Sequence, residues 1–210
     1  MATIIKLPST GRKPVRPVDY RESGSDQFNL AFPLSPAQER IWRADRQSPG
    51  DPAYNCAFRW SLKGPLDVPV LERAFNEIVC RHEILRATFP QIGVDPVQLI
   101  APSVDLKVVV SDLRSMAEAE RESKTDLICR EEATRGFDIG TGPLIRVQSI
   151  QTEEQHHFLL LTLHLLIADG WSIRVIMGEL RKLYSAFSEG RESPLSDLSI
   201  QYPDYVVWQR

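Results

Sequence analysis

The chain has 210 residues, of which 42% are hydrophobic, and this is enough for one domain with a sizeable core. Its formal net charge is −3, and acidic and basic residues are interleaved without forming a basic stripe. Since a phosphate backbone requires such a stripe, we expect no nucleic-acid partner. No apolar run approaches the length of a membrane span, so we also expect no membrane association.

Residues 1–27 carry several prolines and glycines, mixed charges and little periodicity. This composition predicts a flexible leader or linker. We therefore expect the folded domain to occupy residues 28–210.

The first predicted helix begins after Ser35, which is a favourable N-cap. Pro36 suits the first helical position. Ala37, Ile41 and Trp42 recur at a spacing that lets them face the core.

A predicted strand follows from Asn55 to Leu62, and Asp67 then caps a second helix. The core face of this helix consists of Leu71, Phe75, Ile78 and Val79. His82 and Glu83 come directly after it and could suggest acid–base chemistry. Neighbours on a helix point in different directions, however, so a structural or surface role is favoured.

The middle of the chain predicts two short strands around a Gly-Val-Asp-Pro turn within residues 90–110. Residues 115–135 are strongly charged with a weak apolar stripe, which indicates a solvated helix. His156 and His157 could be taken for a metal pair. Adjacent residues at a hairpin bend point to opposite faces, so we expect no metal site.

Residues 158–172 contain the longest apolar run, and it predicts a strand buried on both faces. The run ends at the turn Ala168-Asp169-Gly170, and from Ser172 the period becomes that of a helix that ends before Gly190. This arrangement places His164 and Asp169 at the exit of the strand. In α/β proteins that position often carries the chemistry.

The three cysteines are widely spaced among apolar residues and form no CxxC motif. We expect Cys56, Cys80 and Cys129 to be buried free thiols in a reducing compartment. The chain is accordingly expected to be cytoplasmic.

Four segments, in chain order, resemble the motifs of condensation domains of nonribosomal peptide synthetases, members of the chloramphenicol acetyltransferase-like superfamily. Ser35–Trp42 resembles Ser-x-Ala-Gln-x-Arg-x-Trp, and Arg81–Phe89 resembles Arg-His-Glu-x-Leu-Arg-x-x-Phe. His164–Gly170 resembles the signature His-His-x-x-x-Asp-Gly. Tyr202–Gln209 resembles Tyr-x-Asp-x-Ala-x-Trp-Gln with Val206 in place of alanine.

The resemblance implies an α/β fold, namely half of a chloramphenicol acetyltransferase-like sandwich with a mixed sheet flanked by helices. It also implies that residues 28–210 form the N-terminal subdomain and that the motifs of the C-terminal subdomain are absent. In the family, the reaction joins an acceptor amine to a donor acyl or peptidyl thioester. The expected partners are peptidyl or aminoacyl carrier protein domains and the C-terminal condensation subdomain. No cofactor is expected to bind directly, since phosphopantetheine arms of the carriers deliver the substrates.

The resemblance assigns the reaction centre to His164, Leu165, Asp169 and Gly170. Leu165 occupies the position of the second signature histidine, which the family uses at its reaction centre. Asp169 is implied to be structural and to form an ion pair with Arg86.

Two functional hypotheses from different classes follow. The chain belongs to a peptide-bond-forming domain that Leu165 impairs, or it belongs to a non-catalytic docking module that recruits carrier proteins or tailoring enzymes. A small-molecule acyltransferase is a weaker third possibility, because two of the motifs look specific to condensation domains. Only position 165 separates the first two hypotheses within the sequence.

Overall fold

The computed structural model describes residues 18–21 and 28–210, with side chains from residue 30 onward. Most of the predicted leader, residues 1–27, lies outside the described residues. Within the leader, Val18–Arg21 form a strand, which the sequence pattern did not indicate.

Five α-helices are described: α1 (Pro36–Gln47), α2 (Val68–Arg81), α3 (Glu118–Thr134), α4 (Gly170–Ser188) and α5 (Tyr202–Gln209). Short 3₁₀ helices cover Pro52–Tyr54 and Glu83–Arg86. The strands are β1 (Val18–Arg21), β2 (Phe28–Phe32), β3 (Asn55–Lys63), β4 (Ala87–Thr88), β5 (Gln91–Ile92), β6 (Asp95–Pro96), β7 (Gln98–Ile100), β8 (Val108–Asp112), β9 (Ile145–Glu153) and β10 (His156–His164).

The sheet that carries the candidate site has the strand order β3-β10-β9-β8. Its β10 strand pairs antiparallel with both β3 and β9, whereas β8 pairs parallel with β9. A second sheet has the order β1-β2-β7-β4, and β5 and β6 form a separate small hairpin. The predicted mixed sheet flanked by helices is confirmed.

The core lies on both faces of β10, as predicted. On one face, Leu159, Leu161 and Leu163 belong to the large apolar cluster that includes residues of α2 and α4. On the other face, Leu160 packs in a smaller cluster with Ile128 of α3. Full burial of a leucine side chain stabilises a fold by roughly 1.5–3 kcal/mol, so this strand is a major source of stability.

The helix starts follow from the predicted caps. The Ser35 side chain accepts a hydrogen bond from the backbone of Gln38 at 3.2 Å, and Asp67 accepts from the backbone of Val70 at 3.0 Å. Helix α4 begins at Gly170, two residues earlier than Ser172, because Asp169 is its N-cap.

The prediction of buried cysteines was wrong, although the thiols are free. Cys80 is exposed, and Cys56 and Cys129 are only partly buried. Cys129 lies on the side of α3 that faces the Arg59 guanidinium, 3.6 Å away, and not in the apolar cluster centre. Apolar neighbours in sequence did not determine burial, because a helix directs adjacent side chains to different faces.

Candidate active site

The strand exit is a tight turn that begins at His164, the last residue of β10. The Ile167 amide donates to the His164 carbonyl at 3.0 Å and closes the turn. The Leu165 amide donates to the Tyr54 carbonyl at 2.9 Å and so continues the pairing with the neighbouring chain segment. The Leu165 side chain is 37% exposed, whereas His164 and Leu166 on either side are buried.

His164 is only 1% exposed, so the structure places it in the interior and not on the accessible surface of the exit. Its Nδ1 accepts a hydrogen bond from the Leu166 amide at 3.2 Å, which assigns the ring proton to Nε2. Nε2 is buried and has no hydrogen-bond partner among the described residues. Burial lowers the pKa of His164 to about 4, so the ring is neutral near pH 7.

Asp169 is exposed and is occupied in starting helix α4. One of its carboxylate oxygens accepts from the Ser172 amide at 2.8 Å and from the Ser172 hydroxyl at 2.7 Å. These bonds lower the pKa of Asp169, so the carboxylate stays ionised next to the positive end of the helix. Gly170 is the first helical residue and is also exposed.

The predicted ion pair between Asp169 and Arg86 is not formed among the described residues. The Arg86 guanidinium donates instead to backbone carbonyls of residues 79, 80, 101 and 102. Residues 79 and 80 belong to the last turn of α2, where helical carbonyls have no partners within the helix. Arg86 therefore satisfies the end of α2 and a neighbouring strand, and Asp169 satisfies the start of α4.

Gln38 is a site residue whose contacts the sequence pattern did not reveal. Its Nε2 donates to the Leu166 carbonyl at 3.1 Å and to Gln98 Oε1 at 2.9 Å. Its Oε1 accepts from the Ser35 amide at 2.9 Å. The only available signal was the fixed spacing of Gln38 after the cap, which an ordinary capped helix does not require.

The other motif segments also hydrogen-bond to one another. Trp42 Nε1 donates to the Phe89 carbonyl at 2.9 Å, which joins the first motif to the second. Gln201 Nε2 donates to the Arg81 carbonyl at 3.0 Å, and the hydroxyls of Ser35 and Tyr202 lie 3.0 Å apart. Four segments that are distant in sequence thus form one connected arrangement behind the strand exit.

His82 has the structural role that the sequence favoured. Its Nε2 lies 2.7 Å from Glu179 Oε2, and Arg81 Nε lies 3.1 Å from the other oxygen of the same carboxylate. All three side chains are largely buried, and they join the end of α2 to α4. His82 is therefore committed to packing of the helices and is not at the strand exit.

Exposed apolar side chains surround the exit. Trp171 is 68% exposed and Val175 is 39% exposed, and both lie in the first turns of α4. Together with Leu165 they present an apolar surface, which we call the exit surface. No titratable side chain projects from the turn itself between His164 and Asp169.

Among residues 18–21 and 28–210, no group of three or more histidine, cysteine, aspartate or glutamate side chains is placed to hold a metal ion. The His156 ring contacts the hydroxyls of Ser61 and Thr152 at 2.8 and 3.1 Å, whereas neither ring nitrogen of buried His157 has a described partner. None of the described helices is both long and apolar enough to span a membrane.

The sequence matches a family model described as condensation domain over residues 30–210. It is 41% identical over 180 residues to a protein of the linear gramicidin synthase of Brevibacillus parabrevis, covering 86% of this chain and 2% of that protein. It is 42% identical over 178 residues to chondramide synthase cmdD of Chondromyces crocatus, covering 85% of this chain and 5% of that protein.

Solved structures show the same fold. The starter condensation domain of rhizomide synthetase RzmA aligns with a TM-score of 0.73 at 22% identity, over 80% of this chain and 42% of that one. An X-domain solved in complex with OxyB from teicoplanin biosynthesis aligns with a TM-score of 0.75 at 27% identity, over 92% of this chain and 40% of that one. The chain spans about two-fifths of the length of these structures. Since the family match extends over most of its residues, the chain belongs to the condensation-domain family of nonribosomal peptide synthetases and carries the motifs of the N-terminal part of that domain.

Proposed function

We propose that this chain contributes the N-terminal part of a domain that joins an acceptor amine to a donor acyl or peptidyl thioester, and that Leu165 impairs this reaction. The observation that carries the proposal is the strand exit itself. It presents an exposed leucine where the family resemblance expects a histidine, and the neighbouring His164 is buried and neutral.

The chemistry explains why a leucine matters. The amine nitrogen forms a bond to the thioester carbonyl carbon, the carbon–sulfur bond breaks, and the amine must lose a proton. A positioned general base typically contributes 10²–10⁴-fold to such a step. Leucine cannot accept a proton, His164 Nδ1 is occupied by the Leu166 amide, and Asp169 is occupied by Ser172. These residues leave the chain with positioning of the substrates as its remaining contribution.

The partners in this proposal are peptidyl or aminoacyl carrier protein domains and the C-terminal condensation subdomain. The similarity to much larger synthases supports it, since the matched segment is a small part of each. Substrates would arrive on phosphopantetheine arms, with no cofactor bound directly. The free thiols are consistent with a reducing cytoplasmic location.

A second candidate function is a non-catalytic docking module for carrier proteins or tailoring enzymes. The similarity to an X-domain that was solved in complex with OxyB favours this candidate. The exit surface also favours it, because exposed tryptophan is enriched where proteins bind one another.

The test is the substitution Leu165→His within a complete condensation domain supplied with loaded donor and acceptor carriers. We expect product formation to rise by roughly 10²–10⁴-fold, since the exposed position can accommodate an imidazole that acts as a base. Leu165→Asn is the matched control, because asparagine is close to leucine in size and can hydrogen-bond but does not take up a proton near pH 7. Condensed product is measured by mass spectrometry.

The outcomes separate the two candidates. A Leu165→His protein that folds but stays inactive with every carrier pair would favour the docking module. A leucine form that already condenses at a rate the histidine cannot improve would show that the reaction centre is not at position 165. Equal gains from histidine and asparagine would exclude a base and leave a hydrogen bond as the missing element.

A further inference from the structure

We infer that Gln38 is a positioning residue for the reaction centre, acting on position 165 through the backbone of Leu166. The inference rests on the proposed function for its catalytic meaning, but its structural part can be tested alone. Gln38 lies on α1, 128 residues away from Leu166 in sequence. It touches no expected substrate position and acts only through the turn.

The turn is held by three hydrogen bonds from outside its own backbone. The Leu165 amide is fixed by the Tyr54 carbonyl, and the Leu166 amide is fixed by His164 Nδ1. The Leu166 carbonyl is fixed by Gln38 Nε2. With both sides of the Leu166 peptide held, the direction of the preceding side chain is set, and Leu165 projects outward while its neighbours are buried.

The Gln38 amide can take only one orientation in this setting. Its oxygen accepts from the Ser35 amide, and its nitrogen has two hydrogens that go to Gln98 and to the Leu166 carbonyl. Flipping the amide would place an oxygen against two acceptors. Gln38 is 3% exposed and Gln98 is fully buried, so water is not at hand to replace these bonds.

Removing the donor would leave the Leu166 carbonyl without its buried partner, and the turn would lose one of its three anchors. The same helix offers a matched comparison. Trp42 also donates a buried hydrogen bond from α1 to a backbone carbonyl, but that carbonyl belongs to Phe89 and not to the turn. Loss of either bond weakens α1 packing, whereas only loss of the Gln38 bond releases the strand exit.

The first experiment measures amide hydrogen exchange in the 210-residue chain for Gln38→Met and Trp42→Phe. We expect exchange of the Leu166 and Ile167 amides to be about tenfold faster in Gln38→Met than in Trp42→Phe, with similar melting temperatures for both variants. Equal protection of these amides in the two variants would overturn the inference. This measurement needs no catalytic activity, so it stands if the proposed function fails. Should Gln38→Met not fold, Gln38→Glu provides the second variant, since it keeps the shape and the acceptor but removes the donor.

The second experiment adds the same substitutions to the Leu165→His protein within a complete condensation domain. We expect Gln38→Met to lower kcat by roughly 10- to 100-fold with little change in KM, because misplacement of a catalytic group costs rate more than binding. Trp42→Phe should retain most of the activity. A kcat for Gln38→Met equal to that of Trp42→Phe would show that Gln38 is merely structural. Failure of Leu165→His alone to gain activity would count against the proposed function, and the exchange result would then decide the positioning role.

Discussion

The His164 ring makes the stability of the molecule depend on pH. Burial lowers its pKa to about 4 from an ordinary value of 6.5, so the folded state disfavours the protonated ring. The unfolded chain takes up this proton as the pH falls through 6.5. Between pH 6.5 and 4 the unfolded state therefore binds more protons, and the free energy of unfolding falls with falling pH. Above pH 6.5 the contribution is fully present.

We predict that His164 accounts for up to about 3 kcal/mol of stability lost between about pH 7 and about pH 4. Burial also lowers the pKa of His157, with smaller contributions from His156 and Arg114, so His157 acts in the same direction. The measurement is urea unfolding of the chain at several pH values. His164→Asn is the control, because an amide oxygen can still accept from the Leu166 amide but does not titrate. An unchanged pH slope in this variant would show that His164 is not the group responsible.

At the scale of elements, the start of α4 depends on the Asp169 cap. We predict that Asp169→Ala lowers the free energy of unfolding by about 1 kcal/mol, the usual cost of losing an N-cap. A buried ion pair would behave differently, since removing one partner costs on the order of 3–5 kcal/mol. Chemical denaturation distinguishes the two values.

Asp169→Asn is the control for the cap, because asparagine caps helices as well as aspartate does. It should unfold within a few tenths of a kcal/mol of the parent chain. A large loss in Asp169→Asn would indicate that the charge of Asp169 has a partner, contrary to its exposed position.

At the scale of the whole molecule, two loops that are distant in sequence touch at Gly50 and Gly136. A Cβ atom added to Gly136 would overlap the carbonyl group of Gly50, whose carbon would lie 3.0 Å away. Since the obstacle is backbone, neither loop can move aside as a flexible side chain would. This contact holds the segment after α1 against the segment that leads into β9.

We predict that Gly136→Ala lowers the free energy of unfolding by roughly 1–3 kcal/mol through overpacking. Gly178→Ala is the matched control, because Gly178 lies inside α4 with no atom near its added Cβ. It should be neutral or raise stability by up to about 1 kcal/mol, since alanine favours helix over glycine. Thermal unfolding of the two variants should therefore move in opposite directions, and a shared direction would contradict the assigned contact.

The sequence by itself determined the elements and the family. Caps such as Ser35 and Asp67, the 3.6-residue period of α4 and the long apolar run of β10 are local signals, because they depend on backbone geometry within a few residues. The motif spacings are equally local, and the family match over residues 30–210 confirms the assignment made from them.

Only the tertiary structure decided which side chains meet. Arg86 was expected to pair with Asp169, but the unpaired carbonyls at the end of α2 lie within its reach and Asp169 is bound to its own helix. Gln38 gave no sign in the sequence that its amide would hold a turn 128 residues further along the chain. Burial, which makes His164 neutral while Leu165 stays exposed, likewise depends on how the helices and 3₁₀ segments pack around the strand exit. The physical reason is that these partners and their desolvation arise from contacts between elements, which neither periodicity nor spacing encodes.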